Sequence, residues 1–143
     1  MGSDWAHSVL VIDGQGGGIG RQAVSALKRA YPDLHLVAIG TNSLATAAML
    51  KAGADEGATG ENAVVVCAAR ARVIVGPLGI VVADSLLGEV TPKMAMAVGQ
   101  SPAERVLIPV ARCANHVAGA SELPMGRLVE CAVAEVGVIL GLS

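Results

Sequence analysis

The chain has 143 residues, 53% hydrophobic and 15% charged, with 18 Gly, one Trp, one Tyr and no Phe. That length amounts to one domain, 1–143, able to bury a core without disulfides or metal and too short for a two-domain enzyme. With 10 basic against 12 acidic residues, a formal charge of −2 and no basic cluster beyond Arg21, Lys28 and Arg29, the composition disfavours nucleic-acid binding through phosphate neutralisation.

Residues 1–7 carry no basic segment and no cleavable apolar stretch, and are expected to be a frayed terminus. Ser8–Asp13 is an apolar, β-branched run ended by glycines, the pattern of a buried strand. Gly14–Gly18 is a loop. Ile19–Ala30 places Ile19, Ala23, Val24, Leu27 and Ala30 near helical spacing, and Pro32 closes it. Leu34–Ile39 is a second strand, Gly40–Ser43 a turn with capping residues, and Leu44–Ala52 a second helix. Residues 8–39 thus form a β-loop-α-β unit, which nearly always makes a right-handed crossover between parallel strands.

Ala54–Ala58 reads as a brief strand or coil, and Gly60–Arg70 as a helix with Glu61 in its first turn. Arg72–Val75 is a further strand ended by Gly76-Pro77. Leu78–Leu87 is a continuous apolar run whose period is ambiguous; a helix is expected there, with Asp84 and Ser85 on one polar side. Thr91-Pro92 is an N-cap and N1 pair opening a helix through Val98. Arg105–Val110 is a strand, at an edge or strand end because of Pro109. Asn115–Ala120 is expected as a last short strand, and Glu122–Leu140 as the C-terminal helix. A core almost devoid of aromatics, filled by Val, Ile, Leu and Ala, suits a parallel sheet covered on both faces by Ala-rich helices. The fold class expected is α/β, a three-layer Rossmann-like domain with a mainly parallel sheet.

Asp13-Gly14-Gln15-Gly16-Gly17-Gly18-Ile19-Gly20 lies between a strand and a helix, where phosphates bind in such folds. Five glycines in seven positions remove Cβ atoms and let N–H groups approach an anion at the positive helix end. Gly14, Gln15, Gly16, Gly17, Gly18, Ile19 and Gly20 are therefore candidate cofactor-binding residues, with Gly20 allowing close helix-to-strand packing. The spacing of Gly14, Gly18 and Gly20 resembles the cofactor loop of short-chain dehydrogenases. An acid that would hold a ribose diol, about 20 residues past the loop, is missing. Thr41, Asn42 and Ser43 stand there instead, as caps of the second helix or as a cradle for a 2′-phosphate. The cofactor expectation is accordingly NADP or another phosphate-containing nucleotide. The only tyrosine, Tyr31, precedes Pro32 and forms no Tyr-x-x-x-Lys pair, which argues against an independent dehydrogenase. With only Trp5 and Tyr31 available to stack, phosphate contacts would be the main hold on a nucleotide.

DGQGGGIG, together with the later GPLGIVVADSLLGE and IPVARCANH segments, resembles a small family of roughly 140-residue bacterial proteins of unknown function. The resemblance spans nearly the whole chain and implies a Rossmann-like fold without implying an activity or a catalytic residue.

If the strand at 72–75 lies beside the first across the switch point, Gly76 and Pro77 face the glycine loop, and Asp13, Gln15, Asp84, Ser85 and Thr91 reach the same crevice. Asp84 interrupts an apolar stretch, where a charge must pair, cap or face a cleft. Cys113 and His116 form a CxxH pair, too few ligands for zinc and with no third group to orient a nucleophile; a surface or oligomer contact is the plainer role. Asp84, Cys113 and His116 are the weak catalytic candidates, and no metal site is expected. Cys67 and Cys131 read as small core residues. Three cysteines without a CxxC pair suit a reducing cytoplasm. The apolar excess suggests a homo-oligomer. A phosphate-containing small molecule is the expected partner, with neither nucleic acid nor membrane; the alternative is an oligomeric structural or regulatory protein with no cofactor.

Overall fold

A computed structural model describes Trp5, residues 8–110 and residues 114–142. Strands and helices alternate along the chain: β1 (Val9–Asp13), α1 (Gly18–Ala30), β2 (Leu36–Gly40), α2 (Ser43–Lys51), β3 (Glu56–Thr59), α3 (Glu61–Ala68), β4 (Val73–Pro77), α4 (Pro92–Gly99), β5 (Glu104–Ile108) and α5 (Met125–Leu140). All neighbouring strands are parallel, in the order β3-β2-β1-β4-β5. Val11 sits beside Ala38 of β2 and Val75 of β4, so β1 is flanked on both sides.

Alternation along the strands builds two cores. Val9, Val11, Leu36, Ala38, Val73 and Val75 face α1, α2 and α5 through Val24, Leu27, Met49 and Val136. Leu10, Ile12, Val37, Ile39 and Ile74 face α3 and α4 through Val64, Ala68, Met94 and Val98. This is the three-layer α/β arrangement anticipated from small aliphatic residues. Each Val, Leu, Ile or Met among them is worth about 1.5–3 kcal/mol when fully buried, so central β1 gives the loop that follows it a fixed base.

Most predicted ends shift by only a residue or two, the usual fraying of boundaries. Two segments differ in kind. Leu78–Leu87 is not a helix: one 3₁₀ turn covers Leu78–Val81, and residues 82–90 form a strap of consecutive turns. The β-branched Ile80-Val81-Val82 run has poor helix propensity. The Ser85 hydroxyl donates to the Gly79 carbonyl oxygen, a local bond that competes with a helix. Asp84, Leu86 and Leu87 adopt φ of 65°, 55° and 56°, which ends any helical path. Asn115–Ala120 is exposed coil, because it has no apolar face to bury against the sheet; β5 therefore stays at the edge. Cys67 is half-buried, but Cys131 is exposed on α5 rather than in the core. No helix among the described residues is long and apolar enough to cross a membrane.

Candidate functional site

The loops after β1, β2 and β4 meet at the carboxyl edge of the sheet, at the switch point between β1 and β4. Asp13 ends β1 and is only 3% exposed. Its carboxylate turns into the start of α1, accepting from the N–H of Gly14 at 2.8 Å and of Gly20 at 2.7 Å. Burial pushes its carboxyl upward. The N–H groups of Gly20, Gly14 and Ile19 pull against that push, and the charge of Glu89 adds to it. An internal carboxylate thus already occupies part of the positive end of the helix.

The loop glycines divide by what surrounds them. A Cβ on Gly14 would lie 2.6 Å from Thr41 Oγ1 and 2.9 Å from Leu86 Cδ1. Gly17 has φ of 73° and backs onto α2, where a Cβ would come within 2.9 Å of Ala45 Cα. A Cβ on Gly20 would meet Met49 Sδ at 2.5 Å and Asp13 Cβ at 2.8 Å, so this glycine permits the close helix-to-strand packing expected of it. Gly16 and Gly18 have no such reason: neither adopts a left-handed φ, and a Cβ on either meets nothing within 4 Å. Both border a cavity of about 430 Å³ lined by residues 13–19, Gln22 and Leu86. The Gly17 N–H is used by the Gly14 carbonyl at 2.9 Å; the N–H groups of Gly16 and Gly18 donate to nothing among the described residues.

The turn at the end of β2 is hydrogen-bonded to the loop without bordering the cavity. Gly40 allows the tight turn, since a Cβ there would lie 2.5 Å from the Thr46 nitrogen. Asn42 caps α2 through Oδ1, accepting from the Ala45 N–H at 2.9 Å, while its Nδ2 donates to the Gln15 carbonyl at 2.9 Å. The same Nδ2 donates to Glu89 Oε1 at 2.9 Å, the Thr41 hydroxyl donates to that oxygen at 2.6 Å, and the Gln15 N–H donates to it at 2.8 Å. Donation by Thr41 and by the Gln15 N–H holds the Glu89 carboxyl below its ordinary range.

Thr41 and Asn42 are therefore engaged by a carboxylate instead of standing ready for a 2′-phosphate. Ser43 is exposed at the first turn of α2. Gly76 and Pro77 lie in β4 beside β1 as expected, but both are buried and neither borders the loop cavity. The glycine at 76 is explained by β1, because a Cβ would run into the Ile12 carbonyl oxygen. Asp84 is exposed on the strap, with its N–H donating to the Val90 carbonyl at 2.7 Å, and it does not line the cavity. Ser85 is buried on Gly79, and Thr91 caps α4 while donating to Glu61 at 2.6 Å. His116 is exposed and away from the loop cavity; Cys113 lies outside the described residues. Among the described residues no three His, Cys, Asp or Glu side chains gather where a metal could be held.

The sequence alone does not point to Glu89. Its only signal in the sequence is an acid after Gly88 in an apolar stretch, and nothing in that spacing says the strap folds back onto the loop. A larger groove of about 670 Å³ runs over the outer face of α1, past Arg21, Arg29 and Lys51. It lies along helix sides, whereas the smaller cavity is bordered by N–H groups of a helix start that donate to nothing among the described residues.

The family model described as "Domain of unknown function (DUF3842)" matches residues 8–140. No curated protein matches the chain. Among solved structures it is similar to a dodecameric FMN-dependent UbiX-like decarboxylase from Escherichia coli O157:H7, at 14% identity and a TM-score of 0.43, with 94% of this chain and 95% of that one covered. A likeness at that level assigns neither ligand nor activity.

Proposed function

The chain belongs to the DUF3842 family, a domain of unknown function, and we propose that it binds a nucleotide whose phosphate rests on the Gly16 and Gly18 N–H groups at the start of α1. The observation that carries this is the pair of glycines with no internal use. Gly14, Gly17 and Gly20 are required by neighbouring atoms or by φ, while Gly16 and Gly18 border the cavity and their N–H groups donate to nothing among the described residues. Oriented N–H groups and the helix dipole favour an anion there, and missing Cβ atoms allow a close backbone approach. Tyr31 closes α1 at the end remote from the loop, so the site contains no tyrosine to serve as an acid, and binding is the role supported.

Isothermal titration calorimetry with NAD, NADP, ADP and FMN tests this. At least one is expected to bind at millimolar concentration or below, and Gly16→Asp is expected to abolish that binding without lowering the melting temperature, because it adds charge and bulk only at the cavity. Unchanged affinity in Gly16→Asp, or no binding by the wild type, would overturn the proposal.

A further inference from the structure

Glu89 holds more information than a contact between strap and loop. Three donors from two separate segments, the Gln15 N–H, the Thr41 hydroxyl and the Asn42 amide, converge on its Oε1. Among the described residues Oε2 accepts nothing, and Glu89 meets the loop at Gln15, a residue that borders the cavity. The strap that delivers it pays for its position with left-handed backbone at the non-glycine residues Asp84, Leu86 and Leu87. Such conformations are strained and cluster at ligand sites. Leu86 lines the same cavity, which ties the strap to that space.

A carboxylate with its charge retained can only accept, so it selects a donor. In a nucleotide, the donors nearest the phosphate are the ribose hydroxyls. We infer that Glu89 is a specificity-determining residue whose Oε2 accepts from the free vicinal hydroxyls of a nucleotide ribose and whose charge turns away a ribose bearing a 2′-phosphate. This rests on the nucleotide reading of the loop and reverses the NADP preference suggested by Thr41, Asn42 and Ser43. The acid absent from the end of β2 is supplied from the β4 side of the sheet, 49 positions later than Gly40.

NAD and NADP differ only in the 2′-phosphate, which makes them the probes. Calorimetry at neutral pH is expected to show the wild type binding NAD at least about tenfold more tightly than NADP, the scale of one hydrogen bond to a charged group. Glu89→Gln, checked for folding by circular dichroism, is expected to weaken NAD about tenfold and bring the two ligands within about threefold of each other. Equal affinity in the wild type, or a preference for NADP, overturns the inference while leaving the loop proposal intact if Gly16→Asp removes both. Tighter binding of both ligands by Glu89→Ala also overturns it, since Glu89 would then be an internal anion that phosphate displaces. If neither ligand binds the wild type, this inference fails; if ADP and FMN fail as well, the loop proposal fails with it.

Discussion

Gly17 and Gly18 are adjacent in sequence yet should respond to alanine with opposite signs. At Gly17, φ of 73° forces an L-residue into the left-handed region, at about 1–2 kcal/mol. The new Cβ would also stand 2.9 Å from Ala45 Cα, a backbone atom that moves only if α2 moves, and overpacking of that kind costs about 1–3 kcal/mol. The sum is about 2–5 kcal/mol. An unfolding entropy of about 2.1 cal/mol/K per residue gives about 0.3 kcal/mol/K for a chain of this length, so the melting temperature should fall by about 7–17 °C. At Gly18 the Cβ meets nothing, and alanine restricts the unfolded chain by about 0.4–1 kcal/mol, raising the melting temperature by about 1–3 °C. Circular dichroism melts measure both, and calorimetry with NAD measures the consequence: Gly18→Ala should be the more stable protein and the weaker binder. A Gly18→Ala protein that melts below wild type, or a Gly17→Ala protein within about 2 °C of it, refutes the division of the loop glycines into structural and spare. Undiminished NAD affinity in Gly18→Ala refutes the use assigned to the spare ones.

Two further outcomes test the elements around the loop. Asp13→Asn replaces an acceptor by a donor opposite either the Gly14 or the Gly20 N–H; an unsatisfied N–H costs about 1–3 kcal/mol, partly offset by removing a buried charge, for a net loss of about 1–2 kcal/mol and about 3–7 °C. Because burial raises the Asp13 carboxyl above 3.8 in the folded protein, the native state binds the proton first, and stability from this group is gained as pH falls through the folded value toward 3.8. The melting gap between wild type and Asp13→Asn should therefore widen on acidification across that window; a gap that narrows contradicts the assignment of cause. Leu87 is 96% exposed with φ of 56°, so Leu87→Asn loses no packing and suits the left-handed backbone better, adding about 0.5–1 kcal/mol. A thermal melt showing destabilisation would mean that Leu87 is covered in solution.

Where residues dictate their own surroundings, the sequence was legible. Val9–Asp13 and Leu36–Gly40 are buried on both faces, and an unbroken β-branched or aliphatic run reports that directly. The caps Asn42 and Thr91 act within three residues of themselves and were found at their helices. Residues 78–87 suggest a helix that does not form, because an apolar run carries no period of its own; a side-chain bond from Ser85 to Gly79 and left-handed residues that composition does not advertise decide the path. The site follows the same division. The glycine loop is local and was legible, whereas Glu89 reaches Thr41 across 48 positions and Gln15 across 74, a distance over which one sequence carries no register.

The loop's electrostatics explain why so distant an acid matters. Among the described residues no Lys or Arg lines the cavity. The N–H groups of Gly14, Ile19 and Gly20 are already turned to Asp13, so a phosphate meets a helix start whose positive end is partly neutralised. Charge attraction of the kind a lysine-bearing phosphate loop exerts is therefore weak here, and two N–H groups alone would bind any phosphate poorly and without preference. Neutral donors on the ligand change that balance: each hydroxyl given to Glu89 Oε2 adds a charge-assisted bond, without bringing a second negative charge toward Asp13 and Glu89. On the proposed reading, such a site selects by what accompanies the phosphate, and the strained strap that holds Glu89 in place is the part of the fold through which that selection would be exercised.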